Sequence, residues 1–118
     1  TTTEMNTNIY DGSFNYSEIR VVADAAPLDS WDNEFMRMEV NTNSGWQQIG
    51  NEYTAGYQNP ESFPELDCIS YNYPSDKLYE FNGTIQTSDL DSLRFVDGTD
   101  QNNKDESLAV DNIVVMAR

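Results

Sequence analysis

The chain has 118 residues, with 21 Asp and Glu against 6 Lys and Arg, no histidine, and a formal net charge of −15. That length suits one domain with a single core, burying roughly two-thirds of the unfolded surface, and a field so negative argues against phosphate backbones and anionic lipid surfaces as partners. The lack of histidine removes every His-based triad or zinc site, and no stretch reaches the ~18 consecutive apolar residues of a membrane-spanning helix.

The hydrophobic fraction is 37%, with 12% aromatic residues, which points to a thin sandwich rather than to disorder. The chain opens at Thr1-Thr2-Thr3-Glu4 without an initiator Met and no signal peptide is visible, so the expectation is a domain excised from a longer or processed protein. Short runs of strand character follow, separated by polar turns: 19–23, 34–41, 46–49, 66–71, 78–81, 93–96 and 108–116. In the second run Met36, Met38 and Val40 alternate with Arg37 and Glu39, which predicts one buried and one wet face; Phe35 breaks the alternation. Asn41 to Gly45 has hairpin chemistry and hands the chain to Trp46, whose bulk is expected to pack inward. Pro27, Pro60, Pro64 and Pro74 all fall between the predicted strands. Residues 50–64 are too long a connection for a tight hairpin. A single helical turn capped by Ser88 is expected around 88–91. Cys68 stands alone, so no intrachain disulfide forms, and it reads as a small buried apolar residue. The sequons at Asn15 and Asn82 read as coincidence in an Asn-rich chain.

Three constellations could carry chemistry. The last third sets Asp111 among Val110, Ile113, Val114 and Val115, where a lone carboxylate buried in a sheet calls for a partner. Cationic side chains are scarce, so a hard cation is the economical one. The preceding loop offers Asp97, Asp100, Asn102, Asn103, Asp105 and Glu106, the oxygen donors that calcium takes. It is not an EF-hand: counted from Asp97, Asn102 stands where Gly is needed and Leu108 where Glu is needed. Any calcium site must therefore draw on more than one segment. The second constellation, Asp29, Trp31, Asp32 and Glu34, reads either as a second calcium corner, as half of a sugar site with Trp31 stacking on a pyranose, or as a loop whose Trp caps the core. The third, Tyr53, Tyr57, Gln58, Asn59, Tyr71, Asn72 and Tyr73, combines stiff amphipathic rings with amides that match hydroxyl groups, as suits a neutral carbohydrate or peptide ligand.

The ending Leu108-Ala109-Val110-Asp111-Asn112-Ile113-Val114-Val115, preceded by Leu93-Arg94-Phe95, resembles the last two strands of extracellular jelly-roll modules of the galactose-binding-like and carbohydrate-binding type. The resemblance implies that Asp111 ligates a structural calcium together with oxygens from the chain's start; Ile9-Tyr10-Asp11-Gly12 is a loose substitute for the usual segment there, and Glu4, Asp11 and Asp24 stand as completing ligands. The expectation is an all-β antiparallel jelly-roll β-sandwich, a single monomeric domain over 1–118, secreted or at the cell surface. It would be non-catalytic, bind Ca2+ and recognise carbohydrate. The alternative is a calcium-rigidified structural or protein-interaction domain of a multi-domain surface protein or adhesin, with no sugar ligand.

Overall fold

The computed structural model describes residues 2–6, 15–29, 34–54, 79–98 and 106–118, and for 2, 3, 5, 6, 28, 29, 106 and 107 it describes the backbone. These residues form seven strands: β1 (Thr2–Asn6), β2 (Glu18–Asp29), β3 (Phe35–Thr42), β4 (Gly45–Thr54), β5 (Tyr79–Gln86), β6 (Ser92–Asp97) and β7 (Glu106–Ala117). They build two antiparallel sheets, β1-β6-β3-β4 and β5-β2-β7, consistent with a β-sandwich. The all-β expectation therefore holds at that level, and no helix lies among the described residues. The predicted strand at 66–71 and Cys68, Pro60, Pro64 and Pro74 lie outside them.

Alternation decides which side chains enter the core. On β2, Ile19, Val21, Ala23 and Ala25 point inward; on β3, Met36, Met38 and Val40 do, each fully buried. Ile49, Phe81, Leu93 and Phe95 complete the layer, and Phe81 and Phe95 bridge the sheets with ring centroids 5.9 Å apart. The pairing is nested: β2 runs against β7 and β3 against β6, while β4, the edge of one sheet, comes up against β5, the edge of the other.

That last contact has no room for side chains. A Cβ on Gly83 would sit 2.5 Å from the Gly50 nitrogen and 2.5 Å from Ile49 Cγ1, and one on Gly50 would meet the Asn82 carbonyl at 3.0 Å. Gly50 also takes φ +73° in the stretch where β4 bulges against β3. Two glycines thus let the sheet edges close at backbone distance.

Three expectations change. Pro27 lies within β2, not between strands, and is tolerated because the register with β5 stops at Ala25↔Tyr79, leaving β7 as its described neighbour. There is no helical turn at Ser88: the Thr87 hydroxyl donates to Asp89 Oδ1 at 2.6 Å, and Asp89 Oδ2 accepts the Asn43 amide at 2.9 Å, so this loop props the β3–β4 hairpin instead. In that hairpin Thr42 pairs with Gly45, and Gly45 alone takes the left-handed φ, +90°. Trp46, paired with Asn41, belongs to the outer face and is only half-buried, because the register that sets Ile49 inward beside Met38 turns Trp46, three residues earlier, to the opposite side.

Gly83→Ala is expected to cost about 3 kcal/mol, as overpacking against backbone cannot relax. Gly45→Ala, with open space around it, should cost only the left-handed penalty of about 1–2 kcal/mol. Urea unfolding of the two variants measures both; equal losses would mean that the Gly50–Gly83 approach is looser than described.

Candidate functional site

Strand direction collects one group of acidic residues. β2, β4 and β6 end, and β3, β5 and β7 begin, at the same end of the sandwich. The register fixes this: Phe35 pairs with Thr54, Met36 with Asp97, and Asp29 with Glu106, and the Tyr53 and Tyr79 rings meet at 4.5 Å across the sheets. At this end Asp97 continues the inward alternation of Leu93 and Phe95 and is 7% exposed; Glu34, immediately before β3, is 8% exposed. Two of the predicted metal ligands are thus buried carboxylates at one end, with the backbones of Asp29 and Glu106 paired across the other sheet. Among the described residues no three acidic or sulfur groups converge closely enough to hold a metal by themselves. Asp11, Trp31, Asp32, Tyr57, Gln58, Asn59, Tyr73, Asp100 and Asp105, and the side chains of Asp29 and Glu106, lie outside what the structure describes. Tyr53 is half-buried against Tyr79, which stands edge-on to Phe81 at 5.0 Å, so its ring extends the core.

Asp111 is placed differently from the expectation. It lies in β7, as predicted, but it is exposed, not buried. The reason is a bulge: between the pairs Val22↔Val114 and Asp24↔Asp111, β7 carries one residue more than β2, and Asn112 takes φ 52°. The extra residue shifts the alternation, so Leu108 and Val110 before it and Ile113, Val115 and Ala117 after it all pack toward the core. Asp111 and Asn112 are the two polar residues left between. Asp111 Oδ1 accepts the Asn112 amide at 2.8 Å, and Asn112 Nδ2 donates to Asp24 Oδ2 at 2.9 Å. Of the three segments proposed to meet Asp111, the structure delivers Asp24, its cross-strand partner; Glu4 is on the other sheet, opposite Arg94.

A third group was missed by reading strands one at a time. On the outer face of the four-stranded sheet Glu39 is 8% exposed, although its alternation predicts a wet residue. Arg37 Nε donates to its Oε2 at 2.6 Å, and Arg94, its cross-strand partner, donates to Oε1 at 2.7 Å. Arg94 also lies 3.9 Å over the Trp46 ring, and Arg37 4.9 Å over Phe35. Glu52 adds a longer contact to Arg37 at 3.6 Å. The signal available in sequence was only Arg37 and Glu39 two apart on one face; Arg94 and Trp46 come from other strands. Burial raises the Glu39 carboxyl, but hydrogen bonds from Arg37 and Arg94 and their charges outweigh it, so the group titrates below its ordinary value.

Comparison of the chain with family models, curated proteins and solved structures returns no match.

Two outcomes follow. A folded pKa below the unfolded one gives Glu39 a contribution that is complete above about pH 5 and is lost as pH falls through the lowered value. Wild type should therefore lose more stability than Glu39→Gln between pH of about 6 and about 3, as read from urea midpoints; parallel losses would place the acid sensitivity elsewhere. At the bulge, Asp111→Ala in chelator should cost less than about 1 kcal/mol, because an exposed carboxylate leaves no cavity. Asn112→Val should cost more, about 2 kcal/mol, since a β-branched residue resists the left-handed φ. Thermal or urea unfolding checks the order, and a reversal would restore a buried role for Asp111.

Proposed function

We propose that this domain is a non-catalytic binding module of the jelly-roll type, carried by a secreted or cell-surface protein, stiffened by calcium at one end of the sandwich and recognising carbohydrate. The observation that carries the cation is that Glu34 and Asp97, both buried, lie at the same end of the sandwich, where two acidic connections join the sheets. Carboxylates fit a hard cation in donor type. Two of them supply at most four of the six to eight oxygens calcium takes; in this reading the rest come from backbone carbonyls, water and the acidic stretches adjacent in sequence that contain Asp29, Asp32, Asp100, Asp105 and Glu106. When bound, the ion would supply positive charge and fixed coordination geometry; Glu34 and Asp97 would hold it while tying the start of β3 to the end of β6. This reading places the clasp away from Asp111, which is exposed on the outer face of the other sheet.

The nested pairs β2–β7 and β3–β6, with β4 against β5, are the pairing order of a rolled-up long hairpin, which supports the jelly-roll reading. For the sugar, Trp46 offers a half-exposed ring backed by Arg94, with exposed Gln48 on the same face of the sheet. Such a surface of aromatic and planar polar groups suits hydroxyl-rich ligands. The packing of Tyr53 into the core favours the second reading, a calcium-stiffened spacer or interaction domain with no sugar bound.

Adding calcium at about one hundred times its Kd should raise stability by about 2.7 kcal/mol, or on the order of 10 °C in melting temperature. Glu34→Gln combined with Asp97→Asn should abolish that increment without lowering the melting temperature in chelator to a comparable extent. An identical melting temperature in chelator and in millimolar calcium would sink the cation. A glycan array run in both conditions decides the ligand: discrete hits support the sugar module, and silence with calcium binding intact supports the spacer.

A further inference from the structure

The outer face of the β5-β2-β7 sheet is ordered into rows by its register. Glu18 stands beside Gln86 and Arg118, Arg20 between Thr84 and Met116, Val22 between Asn82 and Val114, and Asp24 between Glu80 and Asp111. Side-chain bonds stiffen the first rows: Gln86 donates to Glu18 at 2.7 Å, Arg118 pairs with Glu18 at 3.1 Å, and Arg20 Nε donates to Asn82 Oδ1 at 3.0 Å. Along the strands the face therefore runs from Arg118 and Arg20 at one end to three carboxylates abreast at the other. The row between them holds Val22 and Val114, and Met116 stands beside Arg20; at 48% and 41%, Val114 and Met116 are the large hydrophobic side chains most exposed among the described residues. In so acidic a chain, with six cationic residues in all, two stand on this face, both on the side of the Val22 row away from Asp24.

Such a face is complementary to itself. We infer that the outer face of the β5-β2-β7 sheet pairs with the same face of a second copy of this chain, in an antiparallel two-fold arrangement that lays Val22 and Val114 on their own counterparts and Arg20 over Asp24 of the second copy. The charge pattern selects the axis. A two-fold running along the strands would stack the carboxylate rows on each other; one lying in the sheet plane across the strands puts the Arg20 row of each copy over the Asp24 row of the other. Centred on the Val22 row, that axis superposes β2 on β2 and β7 on β7, with an apolar middle and charged flanks.

The area sets the strength. Seven residues of three strands cover roughly 24 Å by 14 Å, about 340 Å² per copy, well under the ~800 Å² per partner of a stable interface. The pair is therefore reversible, forming at high local concentration, as on a crowded surface or in a tandem array. Screening helps it: at about 0.15 M salt the Debye length is about 8 Å, so the general repulsion between two acidic copies falls off faster than the close Arg–Asp contacts.

Sedimentation velocity tests this on the chain made without glycosylation, since Asn82 lies in the face. Chelator is present throughout, which removes cation bridging, and the concentration runs from about 10 μM to about 1 mM, the range bracketing a weak Kd. The expected result is a monomer–dimer equilibrium. Val114→Lys, which alters no hydrogen bond described here, should weaken it at least about 10-fold, one charged group in an apolar contact being worth more than 1.4 kcal/mol. Arg20→Asp and Asp24→Arg should each weaken it about 10-fold, and the double swap Arg20→Asp/Asp24→Arg should recover to within about 3-fold of wild type. Circular dichroism confirms the fold of each variant. A monomer across the whole range, a dimer untouched by Val114→Lys, or a double swap as weak as its single parents overturns the proposal.

Discussion

The backbone contact between Gly50 and Gly83 holds the sandwich in its closed shape. Two antiparallel sheets each have edges, and an edge of unpaired amides and carbonyls is a liability unless something covers it. Here the edge strand of one sheet comes within 2.5 Å of where a Gly83 Cβ would be, which only two facing glycines permit. Ile49 and Phe81 flank the contact and are both buried, so the closure seals the core along that side. It also brings the end of β4 to the beginning of β5, where Tyr53 and Tyr79 meet. The gathering of strand ends that brings Glu34 and Asp97 into one region depends on this geometry.

Electrostatics in this chain is a matter of allocation. With six cations and a net charge of −15, most carboxylates have to face water or share a partner. Glu39 receives two arginines, and both guanidinium groups are themselves seated on aromatic rings. That arrangement crosses three strands, since Trp46, Glu39 and Arg94 sit on β4, β3 and β6. Removing one carboxylate there would release two planar cations from fixed positions, so the outer face of the larger sheet is stiff for a reason that has nothing to do with its core. The smaller sheet keeps Arg20 and Arg118 on its own outer face, which gives that face its polarity.

The bulge at Asn112 shows how a local irregularity can imitate a functional motif. A polar pair between apolar residues, Val110-Asp111-Asn112-Ile113, suggests a carboxylate forced into a core. Inserting one residue into a ladder produces the same pattern without burying anything, because the strand resumes its alternation one step later. Asparagine is the suitable residue, its short amide tolerating the left-handed backbone and reaching Asp24.

The sequence by itself determined the all-β class, the location of six of the seven described strands, though β2, β4 and β5 run five or six residues further than expected, and the inward set Met36, Met38 and Val40, because period-two alternation and turn chemistry act locally. β1 escaped notice since Thr2 to Asn6 carries no apolar alternation and is a strand only by pairing with β6. It also marked out Glu34 and Asp97, among other acidic residues, through two separate local clusters of carboxylates. What only the tertiary structure decided is which residues meet. That Trp46 faces outward under Arg94, that Glu39 is covered, that Asp111 is exposed beside Asp24, and that Glu34 and Asp97 share an end all depend on register between strands far apart in the chain. A one-residue shift in pairing moves a side chain to the opposite face of a sheet, and nothing local to any single strand specifies that shift.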